Sequence, residues 1–156
     1  MPKCDFRGVI ENSPFVERSL KSMYPGTDEA ELPAKLEALA QRSPSAEEIR
    51  SEIRETEDEE ALALRMRDVR RRILVTLAAR DATGLGGYPE VVRVMTELAE
   101  ETIQAAVRCQ TRLLAERFGV PMSEEGVPQD LLVVGMGKLG GAELNVSSDI
   151  CLLYTS

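Results

Sequence analysis

The chain has no histidine, no tryptophan and few aromatic residues, and each absence excludes a class of structure or function. Aromatic residues make up 4% of its 156 residues, so aliphatic side chains must fill the interior. Without histidine, imidazole general bases, His-containing nucleophilic triads and the histidine zinc motif of metalloproteases are excluded. Any catalysis within this stretch therefore depends on carboxylates, hydroxyls, lysine, backbone amides or a metal ion.

Cysteine and long apolar runs are also scarce. Cys4, Cys109 and Cys151 are far apart and form no CxxC pair, which argues against a disulfide framework or a thiolate zinc site. There is no apolar run of about 18 residues and no signal-peptide layout, so we expect a cytoplasmic protein without a membrane partner. The formal net charge of −8 repels phosphodiester backbones, so we expect no nucleic-acid partner.

Apolar residues recur at helical spacing through residues 1–120, which predicts a helical N-terminal region. A short helical pattern ends at Pro25, and another helix begins at Pro33. Capping boxes predict further starts at Ser45 and Thr56, and a helix beginning near Pro89 should end before Gly119. The two longest apolar stripes comprise Leu62, Met66, Val69, Ile73 and Leu77, and then Val91, Met95, Leu98, Thr102, Ala105, Cys109 and Leu113.

The composition and the apolar pattern of the sequence change after the helical region. Residues 121–130 contain two prolines and one glycine, which predicts a linker. The apolar runs "LLVVG" and "ICLLY" that follow are typical of short buried strands. Because two strands alone are marginally stable, we expect residues 131–156 to be the first strands of an incomplete α/β domain. The predicted fold class is therefore mainly α.

The segment "GMGKLG", Gly135 to Gly140, matches the GxGxxG pattern of dinucleotide-binding folds. That fold needs a crossover of about a dozen residues or more before the next parallel strand. Only the eight residues "GAELNVSS" separate Gly140 from Asp149, so a dinucleotide-dependent oxidoreductase fragment stays the less favoured alternative. A P-loop is excluded because Lys138 is followed by Leu139 and not by Ser or Thr.

A glycine turn followed closely by an acidic residue on a new strand suits nucleotidyl transfer. Glycines let backbone amides approach a phosphate, and carboxylates hold the magnesium ions that neutralise developing charge on its oxygens. The candidate nucleotide-binding residues are Gly137, Lys138, Gly140, Gly141 and Ser148, and Asp149 is the candidate catalytic and Mg²⁺-binding residue.

The segment "GMGKLGGAELNVSSDI" resembles the signature of bacterial glutamine synthetase adenylyltransferases, a family of the DNA-polymerase-beta-like nucleotidyltransferase superfamily. The family pattern reads GMGKLGG-x-EL-x-x-SSDIDL, and this chain agrees at 135–141, at 143–144 and at 147–150, while Asn145 also agrees. The helical segments "NSPFVERSL", "RRRILVTLAARD" and "VMTELAEETIQAAV" are similar to the family's N-terminal region. The resemblance covers most of the chain.

The resemblance implies a bifunctional enzyme in which residues 131–156 begin a nucleotidyltransferase domain. One half would remove AMP from a tyrosine of glutamine synthetase by phosphorolysis, giving ADP, and the other would add AMP from ATP. The segment "ELNVSSDI" is more similar to the sequence of the adenylyl-removing half than to that of the other half. Mg²⁺ and ATP or ADP are the implied cofactor and nucleotides, and glutamine synthetase and a small nitrogen-signalling regulatory protein are the implied partners.

The chain departs from the family pattern at Cys151, where the second metal-binding aspartate is expected. A thiol is a poor ligand for hard magnesium, and the family's third carboxylate comes from a later strand. We therefore expect this chain to be inactive alone, and we hypothesise a truncated product whose last residues are not native. A non-catalytic helical interaction module that keeps the glycine turn stays an alternative.

The arginine cluster "RMRDVRRR", Arg65 to Arg72, suggests either an anion site or a solvated helix face. An acidic stretch precedes it, so we favour a solvated face paired with those carboxylates.

Overall fold

The computed structural model describes residues 5–53 and 58–155, and these ranges are mainly helical. The helices are α1 (Phe6–Asn12), α2 (Pro14–Met23), a 3-10 helix (Glu29–Glu31), α3 (Leu32–Ala40), α4 (Ala46–Ile53), α5 (Glu59–Ala82), α6 (Tyr88–Phe118) and the very short α7 (Gly137–Gly140). The strands are β1 (Leu132–Met136) and β2 (Cys151–Thr155). The predicted mainly α fold class is confirmed.

The helix ends follow the capping signals of the sequence. At α4 the Ser45 amide donates to Glu48 Oε2 and the Glu48 amide donates to Ser45 Oγ, both at 3.3 Å, which is a reciprocal capping box. The start predicted at Thr56 lies outside the described residues. Helix α5 begins after Asp58, whose side chain accepts a hydrogen bond from the Ala61 amide at 2.9 Å.

Helix α5 is central because it contributes to two apolar clusters on different sides. Val75 and Ala79 pack with α1, α2 and α3, whereas Ile73 and Leu77 pack with α4 and α6. A helix that is buried on more than one side carries apolar residues around much of its circumference, as the run "ILVTLAA" does. The second cluster also contains Leu139 and Leu144 of the glycine-rich segment; its buried members are Ile49, Ile53, Leu62, Val69, Ile73, Leu77, Val94, Met95, Leu98, Ala99, Ala105, Cys109, Leu139 and Leu144.

Arg80 joins three parts of the helical region. Its guanidinium donates to Glu90 Oε1 at 2.9 Å, to the Ala40 carbonyl at 2.7 Å and to the Leu85 carbonyl at 2.9 Å. The side chains of Arg80 and Glu90 are 12% and 14% exposed, so solvent screens this ion pair weakly. The end of α3, the end of α5 and the start of α6 are thereby held together.

Strands β1 and β2 pair antiparallel, from Leu132 opposite Thr155 to Met136 opposite Cys151. Each begins one residue later than the apolar run predicts. A dinucleotide-binding crossover requires parallel strands, so the pairing contradicts the oxidoreductase alternative. No helix among the described residues combines the length and the apolarity needed to cross a membrane.

The connector between α6 and β1, residues 119–131, is irregular. Gly119 ends α6 with a φ of 85°, and Met122 and Pro128 form an isolated antiparallel bridge across a turn at Gly126. The predicted division of the chain into 1–120, 121–130 and 131–156 stays a prediction. Leu139 and Leu144, which follow β1, pack against the helical region.

Candidate functional site

The glycines between β1 and β2 form a tight turn that larger residues do not fit. Gly137 has a φ of 57°, in the left-handed region that favours glycine. A Cβ atom on Gly140 would lie 2.4 Å from the Gly135 carbonyl oxygen, and one on Gly135 would lie 2.9 Å from Leu139 Cγ. The turn therefore needs glycine at Gly135 and Gly140 for space and at Gly137 for backbone conformation.

The glycine turn is anchored on one side and open on the other. Leu139 and Leu144 are 6% and 2% exposed and pack against α5 and α6. The Leu144 amide also donates to Thr96 Oγ1 of α6 at 3.4 Å. Gly137, Lys138, Gly140 and Gly141 are exposed, so the turn has room for a ligand on its outer face.

The side chain of Lys138 reaches from the turn to the segment before β2. Its Nζ donates to Ser148 Oγ at 3.3 Å, and Ser148 Oγ donates to Asn145 Oδ1 at 2.8 Å. The Ser147 amide and hydroxyl also donate to Asn145 Oδ1, each at 3.2 Å. The structure thus brings Lys138 and Ser148 together as candidate residues. Asn145 organises this segment and had no role in the sequence-based prediction.

Asp149 is exposed and lies in the loop before β2, and not on the strand as predicted. The strand begins at Cys151, because the ladder ends at the pair Met136–Cys151. The rule that residues two apart on a strand share a face therefore does not apply to Asp149 and Cys151. The register nevertheless places Asp149 and Gly137 at the same end of the hairpin.

The residues present do not fit a two-metal magnesium site. Within residues 5–53 and 58–155, no three Asp, Glu, His or Cys side chains are grouped so that they can hold a metal ion. Asp149 directly follows Ser148 in the sequence, and Cys151 offers a soft sulfur where a hard oxygen ligand is needed. One carboxylate is too few for a site that bridges phosphate oxygens with two ions.

Ser148 and Asp149 line one wall of a cleft of about 400 Å³, and α5 and α6 supply the opposite wall. Arg67 and Arg70 of α5 lie on this opposite wall, and neither forms an ion pair within the described ranges. A larger cleft, about 610 Å³, lies between the C-terminal part of α6 and the connector, and it contains none of the candidate residues.

Two further arginines of the cluster, Arg71 and Arg72, form ion pairs within the described residues, but with different partners than predicted. Arg71 forms an ion pair with Asp68 at 3.2 Å, and Arg72 forms one with Glu52 of α4 at 2.6 Å. The paired face predicted from the sequence thus describes Arg71 and Arg72, whereas no ion pair within the described residues involves Arg65, Arg67 or Arg70.

Comparison with known proteins identifies the family to which this chain is similar. A family model described as "Glutamate-ammonia ligase adenylyltransferase" matches residues 4–156. Curated proteins named bifunctional glutamine synthetase adenylyltransferase/adenylyl-removing enzyme, from Aromatoleum aromaticum, Thioalkalivibrio sulfidiphilus and Nitrosomonas europaea, are 44%, 43% and 46% identical over 97, 103 and 101 residues. The matches cover 62%, 66% and 63% of this chain but 10%, 11% and 11% of the relatives. The chain spans about a tenth of the length of these curated relatives.

Proposed function

The chain belongs to the glutamate-ammonia ligase adenylyltransferase family, and from that premise we propose that it forms the opening part of a nucleotidyltransferase site acting on glutamine synthetase. The family resemblance identified from the glycine-to-aspartate segment is confirmed. The observation that carries the proposal is the exposed glycine turn, whose Lys138 contacts Ser148 immediately before Asp149.

The reaction that we propose for the whole enzyme moves AMP between a nucleotide and a tyrosine of glutamine synthetase. In removal, an oxygen of inorganic phosphate attacks the AMP phosphorus, the phosphorus–tyrosine oxygen bond breaks, and the products are ADP and a free tyrosine that takes up the proton. In the adding reaction, the tyrosine oxygen attacks the α-phosphorus of ATP and pyrophosphate leaves. We assign this chain to the removing half, because the segment "ELNVSSDI" is similar to the sequence of that half.

The residues of this chain would bind and orient the phosphate groups. Gly137, Gly140 and Gly141 are exposed and have no side chain to keep a phosphate from the backbone. The Lys138 ammonium and the Ser148 hydroxyl are close enough to contact one phosphate group together. Positioning and charge stabilisation supply most of the catalysis in phosphoryl-group chemistry, because the protein itself forms few covalent bonds with the substrate.

Asp149 is the ligand that this chain would offer to Mg²⁺, which when bound would neutralise charge on the phosphate oxygens. Because the donor set of this chain does not fit two metal ions, we assign no catalytic step to the ion here. ATP or ADP as nucleotide, a nitrogen-signalling regulatory protein as partner and a cytoplasmic location are further parts of the proposal, and they rest on the family resemblance and on the composition.

Replacing Cys151 by Asp tests the proposed metal ligand directly. We expect Cys151→Asp to give ADP binding that strengthens about tenfold with millimolar Mg²⁺, since it adds a second carboxylate two residues from Asp149 at the same end of the hairpin, whereas the unsubstituted chain should show little dependence on Mg²⁺. The measurement is isothermal titration with ADP in the presence of Mg²⁺ or of a chelator. Cys109→Asp is unsuitable as a control because Cys109 is buried, so Cys151→Asn, which adds no charge, is the matched variant.

A second variant separates the nucleotidyltransferase from a helical interaction module. Adding Asp149→Asn to Cys151→Asp should abolish the Mg²⁺ dependence. Absence of any Mg²⁺-dependent affinity in Cys151→Asp itself, with the helical content retained, would favour the interaction module.

A further inference from the structure

We propose that the cleft between α5, α6 and residues 144–150 binds a nucleoside phosphate, with Arg67 and Arg70 as ligands of its phosphate groups. This inference rests on the proposed function and extends the phosphate site from the glycine turn to helix α5. It gives a role to the two arginines of the cluster that line this cleft and that form no ion pair among the described residues.

The first observation is that some arginines of α5 have partners within the protein and others do not. Arg71 contacts Asp68 and Ser22, both at 3.2 Å, and Arg72 contacts Glu52 at 2.6 Å, so these guanidiniums are engaged within the protein. Arg67 and Arg70 are exposed, are three residues apart on one face of the helix, and have no ion-pair partner among the described residues. Their donors are available to a ligand.

The second observation is the composition of the cleft. Met66, Met95, Leu98 and Ala99 give it an apolar wall, while the two arginines, Ser148 and Asp149 give it a polar rim. Its volume of about 400 Å³ is within the range of small-molecule sites, about 300 to 1,000 Å³. An apolar wall beside cationic donors suits a molecule with a flat apolar body and an anionic head, and a nucleoside phosphate has this form.

The third observation is electrostatic. The chain carries a net charge of −8, yet among the described residues that line the cleft two are cationic, Arg67 and Arg70, and one is a carboxylate, Asp149. Lys138 adds a further cation beside Ser148, at 3.3 Å from its hydroxyl. The guanidinium fork matches two phosphate oxygens at once, which an ammonium does not. The cleft is therefore locally favourable to an anion on a protein that otherwise repels anions.

The test is a titration of the 156-residue chain, in chelator and without Mg²⁺, with ADP, inorganic phosphate and adenosine as separate probes. The double variant Arg67→Gln/Arg70→Gln should bind ADP about tenfold more weakly, since two charge-assisted contacts are lost, and should bind adenosine unchanged. Arg65→Gln is the control for the loss of one positive charge on the same helix, because Arg65 lines a different cleft, and it is compared with Arg67→Gln and Arg70→Gln singly as well as with the double variant. It should change ADP affinity less than about twofold.

The results decide between specific and general binding. Equal ADP affinity in the natural chain and the double variant overturns the proposal, as does an equal loss in Arg65→Gln, which would show that net charge alone is responsible. Inorganic phosphate binding as tightly as ADP would overturn the nucleoside assignment, because the apolar wall would then contribute nothing. Far-UV circular dichroism and thermal unfolding should be the same for all variants, since the three arginines are exposed.

The proposal and the proposed function fail in distinguishable ways. Arginine-dependent ADP binding in chelator, without Mg²⁺ dependence in Cys151→Asp, would sustain the cleft and refute the metal site. Mg²⁺-dependent binding in Cys151→Asp that is insensitive to Arg67→Gln/Arg70→Gln would sustain the nucleotidyltransferase site and refute the cleft.

Discussion

At the scale of single residues, Gly137 and Gly140 are required for different physical reasons. Gly140 lacks space, because an added Cβ atom would lie 2.4 Å from a backbone oxygen, whereas nothing lies within 4 Å of one added to Gly137. Gly137 needs glycine for its φ of 57°, a conformation that asparagine also adopts at low cost.

These reasons predict an order of stability among substitutions in the turn. Gly140→Ala should destabilise the turn by about 1 to 3 kcal/mol, because backbone atoms must move. Gly137→Ala should cost about 1 kcal/mol in backbone strain, and Gly137→Asn should cost less. The measurement is urea unfolding together with the amide chemical shifts of Leu139 and Leu144. If Gly137→Ala proves more harmful than Gly140→Ala, the close approach between Gly140 and Gly135 is not the limiting contact.

The candidate site shows which residues a sequence can assign and which it cannot. Turn chemistry and local spacing predict the glycine turn and its proximity to Ser148, and the contact of Lys138 with Ser148 agrees, while the binding role of these residues stays a prediction. The strand boundary at Cys151 could not, since Ile150 continues the apolar run and only the pairing with Met136 decides where the ladder ends. Which arginines of the cluster lack an ion pair among the described residues could not be predicted, because the fold, and not the local sequence, determines which arginines contact carboxylates.

At the scale of elements, the ion pair of Arg50 and Glu101 links α4 to α6. The guanidinium donates to both carboxylate oxygens, at 2.9 and 2.6 Å, and the Glu101 side chain is 4% exposed whereas that of Arg50 is 50% exposed. The hydrogen bond from Arg50 holds the pKa of Glu101 below its ordinary value, although burial opposes the shift. A lowered carboxyl pKa stabilises the fold at pH values above the unfolded pKa, and this contribution is lost as the pH falls through the folded pKa.

The pair therefore predicts a pH-dependent effect of Glu101→Gln. At neutral pH the variant should unfold about 3 °C lower than the natural chain, a modest shift because half-exposed Arg50 is screened by solvent. The difference should shrink as the pH falls from the ordinary carboxyl pKa through the lowered folded pKa of Glu101, because Glu101 protonates first in the unfolded state and only at lower pH in the folded state. Thermal unfolding across this pH series is the measurement. Glu116→Gln, on the exposed part of α6, is the control, and a pH-independent difference for Glu101→Gln would contradict the electrostatic explanation.

At the scale of the whole molecule, helix positions were easier to predict than their arrangement. The long helices α5 and α6 follow from apolar spacing, and α4 follows from the capping box of Ser45 and Glu48. Helix α1 was not predicted, since Phe6 is its one buried residue and sets no period. The position of α5 between two apolar clusters depends on packing partners that no local window contains.

The hairpin and the helical region should differ in local stability, because a two-stranded sheet is marginal alone and this one exposes most of its side chains. Leu144, 2% exposed, is a principal contact between the two parts. We therefore expect amide hydrogen exchange to be faster in β1 and β2 than in α5 and α6. Leu144→Ala should remove about 3 kcal/mol from the attachment and accelerate exchange in the hairpin alone. Leu114→Ala, at a site 51% exposed, should change neither part. Equal acceleration in α5 and α6 would mean that the hairpin and the helices unfold as one cooperative unit, and that the glycine turn shares the stability of the core on which it packs.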